Sequence, residues 1–184
     1  MNYYGAKELA AAFRRVRKNT LIVAEEIPED HYSFRAAMGV RSVQELLTHI
    51  AMGSRFQQAV TLDATRQSMV GFDYVGLMRG IKAESDNIKT KDQVLALLTI
   101  EGEKFANALE SLSDEFLSET LPMPPGGDPP SRTRFDMLMS VKEHEMHHRG
   151  QLMLIERMLG VTPHLTRANE ARIAAMREGA TVKV

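Results

Sequence analysis

The stretch from Arg134 to Leu159, RFDMLMSVKEHEMHHRGQLMLIERML, decides how this chain is read. At about 100° per residue, Met137, Val141, His144, His148, Ile155 and Leu159 share one helix face. Gly160, with Pro163 beyond, stops the helix. The face is apolar except for two histidines set one turn apart. Their imidazoles can converge on a point about as wide as one metal ion.

The same three-four spacing recurs outward from this segment. Leu9, Phe13, Val16, Val23 and Ile27, with Thr20 as a polar exception, predict a helix ending near Pro28. A loop follows to Arg41. Ser42, with Glu45 three residues later, is a capping box that opens a second helix. Its inner face reads Leu46, His49, Phe56 and Val60. Thr61 to Lys89 is broken by Gly71, Gly76 and Gly80 and reads as a loop with short helical turns. Phe72, Tyr74 and Met78 lie in it and are expected to help wall a pocket, because long connections are often functional. Thr90 with Gln93 opens a third helix, striped by Val94, Leu98, Glu101, Phe105, Ala108 and Leu112. Pro122, Pro124, Pro125, Pro129 and Pro130 make residues 118–133 a loop. A short amphipathic helix is expected over Arg167 to Arg177. No alternating strand and no internal repeat stands out. The expected fold class is all-α: a four-helix bundle with long connections and a short C-terminal helix. One domain is expected over residues 1–184, with its core at about 5–160 and a C-terminal helical extension at about 161–184.

Composition narrows the function. The 184 residues are 43% hydrophobic and 26% charged, enough for a core without staples. The 23 Lys+Arg nearly balance 24 Asp+Glu, so no global basic field speaks for nucleic acid. Arg14, Arg15, Arg17 and Lys18 read as a solvated helix face, with an anion-binding role as the alternative. No cysteine is present. That excludes disulfides, thiolate ligands, iron–sulfur clusters and a cysteine nucleophile. No apolar run approaches the roughly 20 residues of a membrane span. Met1 to Glu8 lacks a charged-then-apolar signal pattern. The expectation is a cytoplasmic protein with neither nucleic acid nor membrane as partner.

His49 repeats the anomaly of the late helix, so three of six histidines stand on inward faces. Neutral imidazoles suit zinc, nickel, iron or copper. Three histidine ligands leave positions open, as in catalytic sites. A lone inward histidine is usually a hydrogen-bonded core residue, but two at i, i+4 are harder to explain that way. Gln151, one turn past His148, is placed to bond a ligand histidine or a substrate, or to sit at the bundle rim. Glu101 reads as a partner behind the ligands, a pH-dependent fourth ligand, or a glutamate reaching solvent at the bundle end. His147 lies about 80° from the stripe centre. His31 and His164 carry no motif.

Ile27-Pro28-Glu29-Asp30-His31-Tyr32, then Val40 to Ile50 with His49, then His144-Glu145-Met146-His147-His148-Arg149-Gly150-Gln151-Leu152 resemble the DinB/YfiT-like family. The resemblance spans about residues 5–160. It implies a four-helix bundle, often a homodimer, that binds a divalent metal through three histidines. Carried over, these are His49, His144 and His148. It further implies a small-molecule substrate and, in some relatives, transfer of a low-molecular-weight thiol to an electrophile. The ion expected is zinc or nickel, with iron or manganese as alternatives, and the thiol would be a cosubstrate. A non-catalytic metal-binding or stress-related dimer and a metal-dependent hydrolase are the competing readings. No DNA polymerase is implied by the family's "damage-inducible" name.

Two other metal motifs compete locally. His144-Glu145-Met146-His147-His148 spells H-E-x-x-H, which would make Glu145 a general base and needs a third ligand such as Glu170. The lack of strands and the position of Glu145, about 80° off the stripe, weigh against it. A di-iron carboxylate site needs two Glu-x-x-His motifs, and only Glu145-x-x-His148 is present.

Overall fold

The computed structural model describes residues 4–181. Residues 1–3, the start of the segment read for a signal pattern, and 182–184, the end of the expected extension, lie outside the described residues. The α-helices are α1 (Ala6–Glu26), α2 (Val43–Val60), α3 (Tyr74–Ser85), α4 (Lys91–Glu110), α5 (Asp114–Ser118), α6 (Arg134–Met158) and α7 (His164–Thr181). Among the described residues no helix is long and apolar enough to cross a membrane.

Both capping boxes form. Ser42 accepts from the Glu45 amide while Glu45 accepts from the Ser42 amide. Thr90 and Gln93 do the same at α4. Each pair satisfies two backbone N–H groups that the first helical turn leaves without a partner.

α1 and α2 each pack against both α4 and α6. The ring order is therefore α1–α4–α2–α6, with the sequence neighbours α1 and α2 on a diagonal. This all-α four-helix bundle agrees with the periodicity, and it sets α2 beside α6.

Expectations for three segments outside the bundle helices are corrected. The Thr61–Lys89 connection holds a 12-residue helix, α3, rather than short turns. Asp73 caps it by accepting from the Gly76 amide, and packing against α2 offsets the cost of two glycines. Residues 118–133 are not loop throughout: β1 (Thr120–Pro122) and β2 (Ser131–Thr133) pair antiparallel, Leu121 opposite Arg132. Strands of three residues are too short to show a period. Leu121 is buried, and Arg134 beside the hairpin is fully buried, donating to Glu119 and to the Thr61, Asp63 and Arg66 carbonyls. The C-terminal helix runs His164–Thr181, longer than Arg167 to Arg177, and is exposed along its outer turns.

The core is divided. One apolar cluster gathers Val23, Ile27, Leu47, Ile50, Leu98 and Leu152. A second gathers Leu9, Phe13, Phe105, Leu109, Leu138 and Val141. Between them three of the four bundle helices bury polar residues: Arg17 and Thr20 on α1, Glu101 on α4, Glu145 and Arg149 on α6. Arg17 is thus no part of a solvated basic face. Its Nε lies 2.9 and 3.1 Å from the two Glu145 oxygens, and its Nη1 donates to the Leu98 carbonyl at 2.6 Å. A side chain at Gly102 would begin 2.9 Å from Arg17 Cγ, so the glycine makes room for the arginine.

The buried face of α6 is correspondingly turned from the stripe read in the sequence. Leu138, Glu145, Arg149, Leu152 and Glu156 join Met137, Val141, His148 and Ile155 in the interior. His144 is half-buried at the edge of this face. A helix wedged between α1 and α2 must bury a wide face, and a single three-four stripe underestimates it.

Glu156, also on α6, is fully buried, and neither of its carboxylate oxygens has a hydrogen-bond partner among the described residues. Burial, then the charge of Glu26, pushes its pKa up from 4.5 to about 7. A raised carboxyl pKa favours the folded protein while the group is protonated. That stability is complete below pH 4.5 and is lost as pH rises through 7. Glu156→Gln is expected to remove the loss, making the variant more stable than the parent by about 3 kcal/mol at pH 8 and equal near pH 4.5. Urea unfolding at the two pH values measures it; equal curves at pH 8 would contradict the assignment.

Candidate metal centre

His49 comes from the middle of α2, and His144 and His148 stand one turn apart on α6. Contact between those helices closes the group. His144 Nε2 is 3.0 Å from His49 Nε2 and 3.1 Å from His148 Nε2. The three rings meet edge to face, with centroids 4.4, 4.8 and 4.9 Å apart. Among the described residues this is the one group of three or more His, Cys, Asp or Glu side chains close enough to hold an ion.

The chemistry of the donor set fits a cation. Three ligands about 2.05 Å from a tetrahedral ion stand about 3.3 Å from each other; the two spacings to His144 are close to this, and all three ligand atoms lie within 4.8 Å of one another. The tautomer agrees. His148 Nδ1 lies 2.8 Å from Gln151 Oε1. An amide oxygen only accepts, so Nδ1 carries the proton and Nε2 keeps its lone pair toward the other two rings. Hydrogen bonds among three such nitrogens cannot satisfy all of them; one cation can.

The rings are also held neutral, as a metal requires. Burial, then the charge of Arg41, pushes His49 down to about 3. Burial, then His148, pushes His144 down to about 4. His148 is lowered by burial, with the Gln151 bond acting the other way. Gly53 on α2 faces His144: a Cβ there would stand 3.3 Å from Nδ1. The glycine therefore gives the ring its space, a role the sequence does not signal.

Gln151 reaches His148 through its oxygen and His147 through its nitrogen, at 3.3 Å. Glu101 is outside the histidine group; its carboxylate accepts from Gln58 Nε2 at 3.2 Å. Glu145 faces α1 and is occupied on both oxygens by Arg17. It has no geometry for a general base, and Glu170 lies exposed on α7, outside the group, so the H-E-x-x-H reading fails.

A cavity of about 350 Å³ opens beside the histidines, lined by His49, Met52, Phe56, Tyr74, Met78 and His144, among others. Tyr74 and Met78 belong to the connection expected to wall a pocket. Phe72 does not; it packs with Val60, Met69 and Leu121, and Arg66 stands over its ring.

Fold and site together define a four-helix bundle carrying a three-histidine cluster between its second and last bundle helices. The chain belongs to the DinB family, whose model matches residues 1–177. It is 24% identical over 159 residues to the uncharacterized protein YjoA of Bacillus subtilis, covering 85% of this chain and 92% of that one. The crystal structure of that DinB-like protein superposes with a TM-score of 0.62 at 26% identity, over 84% of this chain and 93% of that one. Bacillus subtilis YfiT, described as "a probable metal-dependent hydrolase with an unusual four-helix bundle topology", superposes with a TM-score of 0.68 at 16% identity, over 88% and 91%. A Streptococcus pneumoniae protein shares the fold at 17% identity, TM-score 0.63, over 85% and 93%.

Proposed function

We propose that the protein is an enzyme whose divalent ion is held by His49, His144 and His148, and that it transfers a low-molecular-weight thiol to an electrophilic small molecule. The observation that carries the metal is the convergence of three Nε2 atoms with Gln151 fixing one tautomer. Bound there, a zinc or nickel ion supplies Lewis acidity that activates a thiol or a water at neutral pH. The chain does the rest. Gln151 orients His148, Gly53 admits the His144 ring, and Met52, Phe56, Tyr74 and Met78 hold apolar substrate while excluding water. Since the chain has no cysteine, the reacting sulfur comes from outside.

Hydrolysis is the second reading, favoured by the description of YfiT as a probable metal-dependent hydrolase. We further propose a homodimer across the exposed Met146, Leu154 and Met158 of α6. Zinc- or nickel-loaded protein incubated with thiols and an electrophile panel is expected to consume thiol, and chelator-treated protein is not. Metal-dependent release of acid from an ester or amide panel without thiol loss would replace transfer by hydrolysis.

A further inference from the structure

Two more cavities meet the histidines, and one arginine lines both. A cavity of about 320 Å³ is lined by Arg41, His49, Met52, Met78 and Ile81, among others. It shares His49, Met52, Met78 and Ile81 with the cavity beside Phe56 and Tyr74. The two form one groove between α2 and α3, apolar at the Phe56 end and charged at the Arg41 end. On the other side, Arg41 also lines a cavity of about 670 Å³ with Gln151 and His148.

The charges at this end cancel in pairs, save one. Arg35 pairs with Glu45 through two bonds of 2.6 and 2.7 Å. Lys82 pairs with Asp86 at 2.9 Å. Arg41 feels Glu45 at longer range, but its guanidinium donates no hydrogen bond and closes no ion pair among the described residues. Its position is nonetheless held. Arg35 Nη1 donates to the Val40 carbonyl at 2.6 Å, bracing the loop directly before Arg41.

We propose that Arg41 is the specificity-determining residue of the site, and that it binds the carboxylate of an amphipathic acid whose apolar part lies along Met52, Met78, Ile81 and Phe56. A guanidinium with free donors is suited to a planar carboxylate, which it grips through two parallel bonds. The groove sets the two ends of such a ligand on either side of His49, so its middle passes the proposed metal. This deepens the proposed function and rests on it only for the chemistry, not for the binding.

The test is calorimetric titration with straight-chain carboxylates from butyrate to decanoate and with the matching alcohols. Metal-free and zinc-loaded protein are both titrated. The best acid is expected to bind about tenfold tighter than its alcohol in both forms. Arg41→Gln should erase that advantage, Arg41→Lys should keep part of it, and alcohol affinity and melting temperature should not move. If no acid in the series beats its alcohol, or if Arg41→Gln keeps the advantage, the proposal is wrong. Preference for acid in metal-free protein, with no zinc bound at any concentration, would uphold Arg41 while overturning the metal reading.

Discussion

Arg17→Met is expected to lower the unfolding free energy by about 3–5 kcal/mol, the usual cost of leaving one partner of a buried ion pair alone. Glu145 is 1% exposed and Arg17 4%. Removing the guanidinium leaves the Glu145 carboxylate buried without its hydrogen-bond partner and takes a donor from the Leu98 carbonyl. The double variant Arg17→Met, Glu145→Met should recover part of the loss, because neither member of the pair is then left buried without the other, while Arg149 stays buried beside them. Urea unfolding of the parent, both single variants and the double variant measures the coupling. A single variant within 1 kcal/mol of the parent would show that water reaches the layer. Since α6 carries both Glu145 and two of the three histidines, the single variants should also loosen the site.

His49→Ala is expected to abolish stoichiometric zinc, measured by elemental analysis after dialysis against the metal. With free zinc at a thousand times its dissociation constant, the parent gains about 4 kcal/mol of stability. The variant gains none, and the thermal shift on adding zinc disappears with it. His144→Ala and His148→Ala should behave alike, because all three Nε2 atoms face one point. Full occupancy in His49→Ala would break the triad. The variant itself should fold, since His49 is half-buried at a cavity rather than locked in the core.

Much of this was legible along the chain. Periodicity and two capping boxes located the four bundle helices, because helix burial and N-terminal satisfaction are local demands. His144 and His148 declared themselves as polar residues one turn apart on an apolar stripe. His49 was visible for the same reason on its own helix. Glu145 and Arg17 are not legible because each fits a surface: a glutamate off the stripe and an arginine among three basic neighbours. A partner 128 residues away changes that, and no window of sequence contains both.

Sequence alone determined the four bundle helices, the absence of a thiolate and three imidazoles on otherwise apolar helix stripes. Tertiary structure decided the rest. It placed α2 against α6 rather than against α1, which turned three separate histidines into one cluster. It cut the core in two with a polar layer, shaped α3 into the wall of a groove, and left Arg41 as the charge at that groove's end with no partner among the described residues. The physical reason is the range of the forces. Helix propensity and amphipathicity act over a few residues, whereas ion pairing, burial and metal geometry depend on which helices become neighbours.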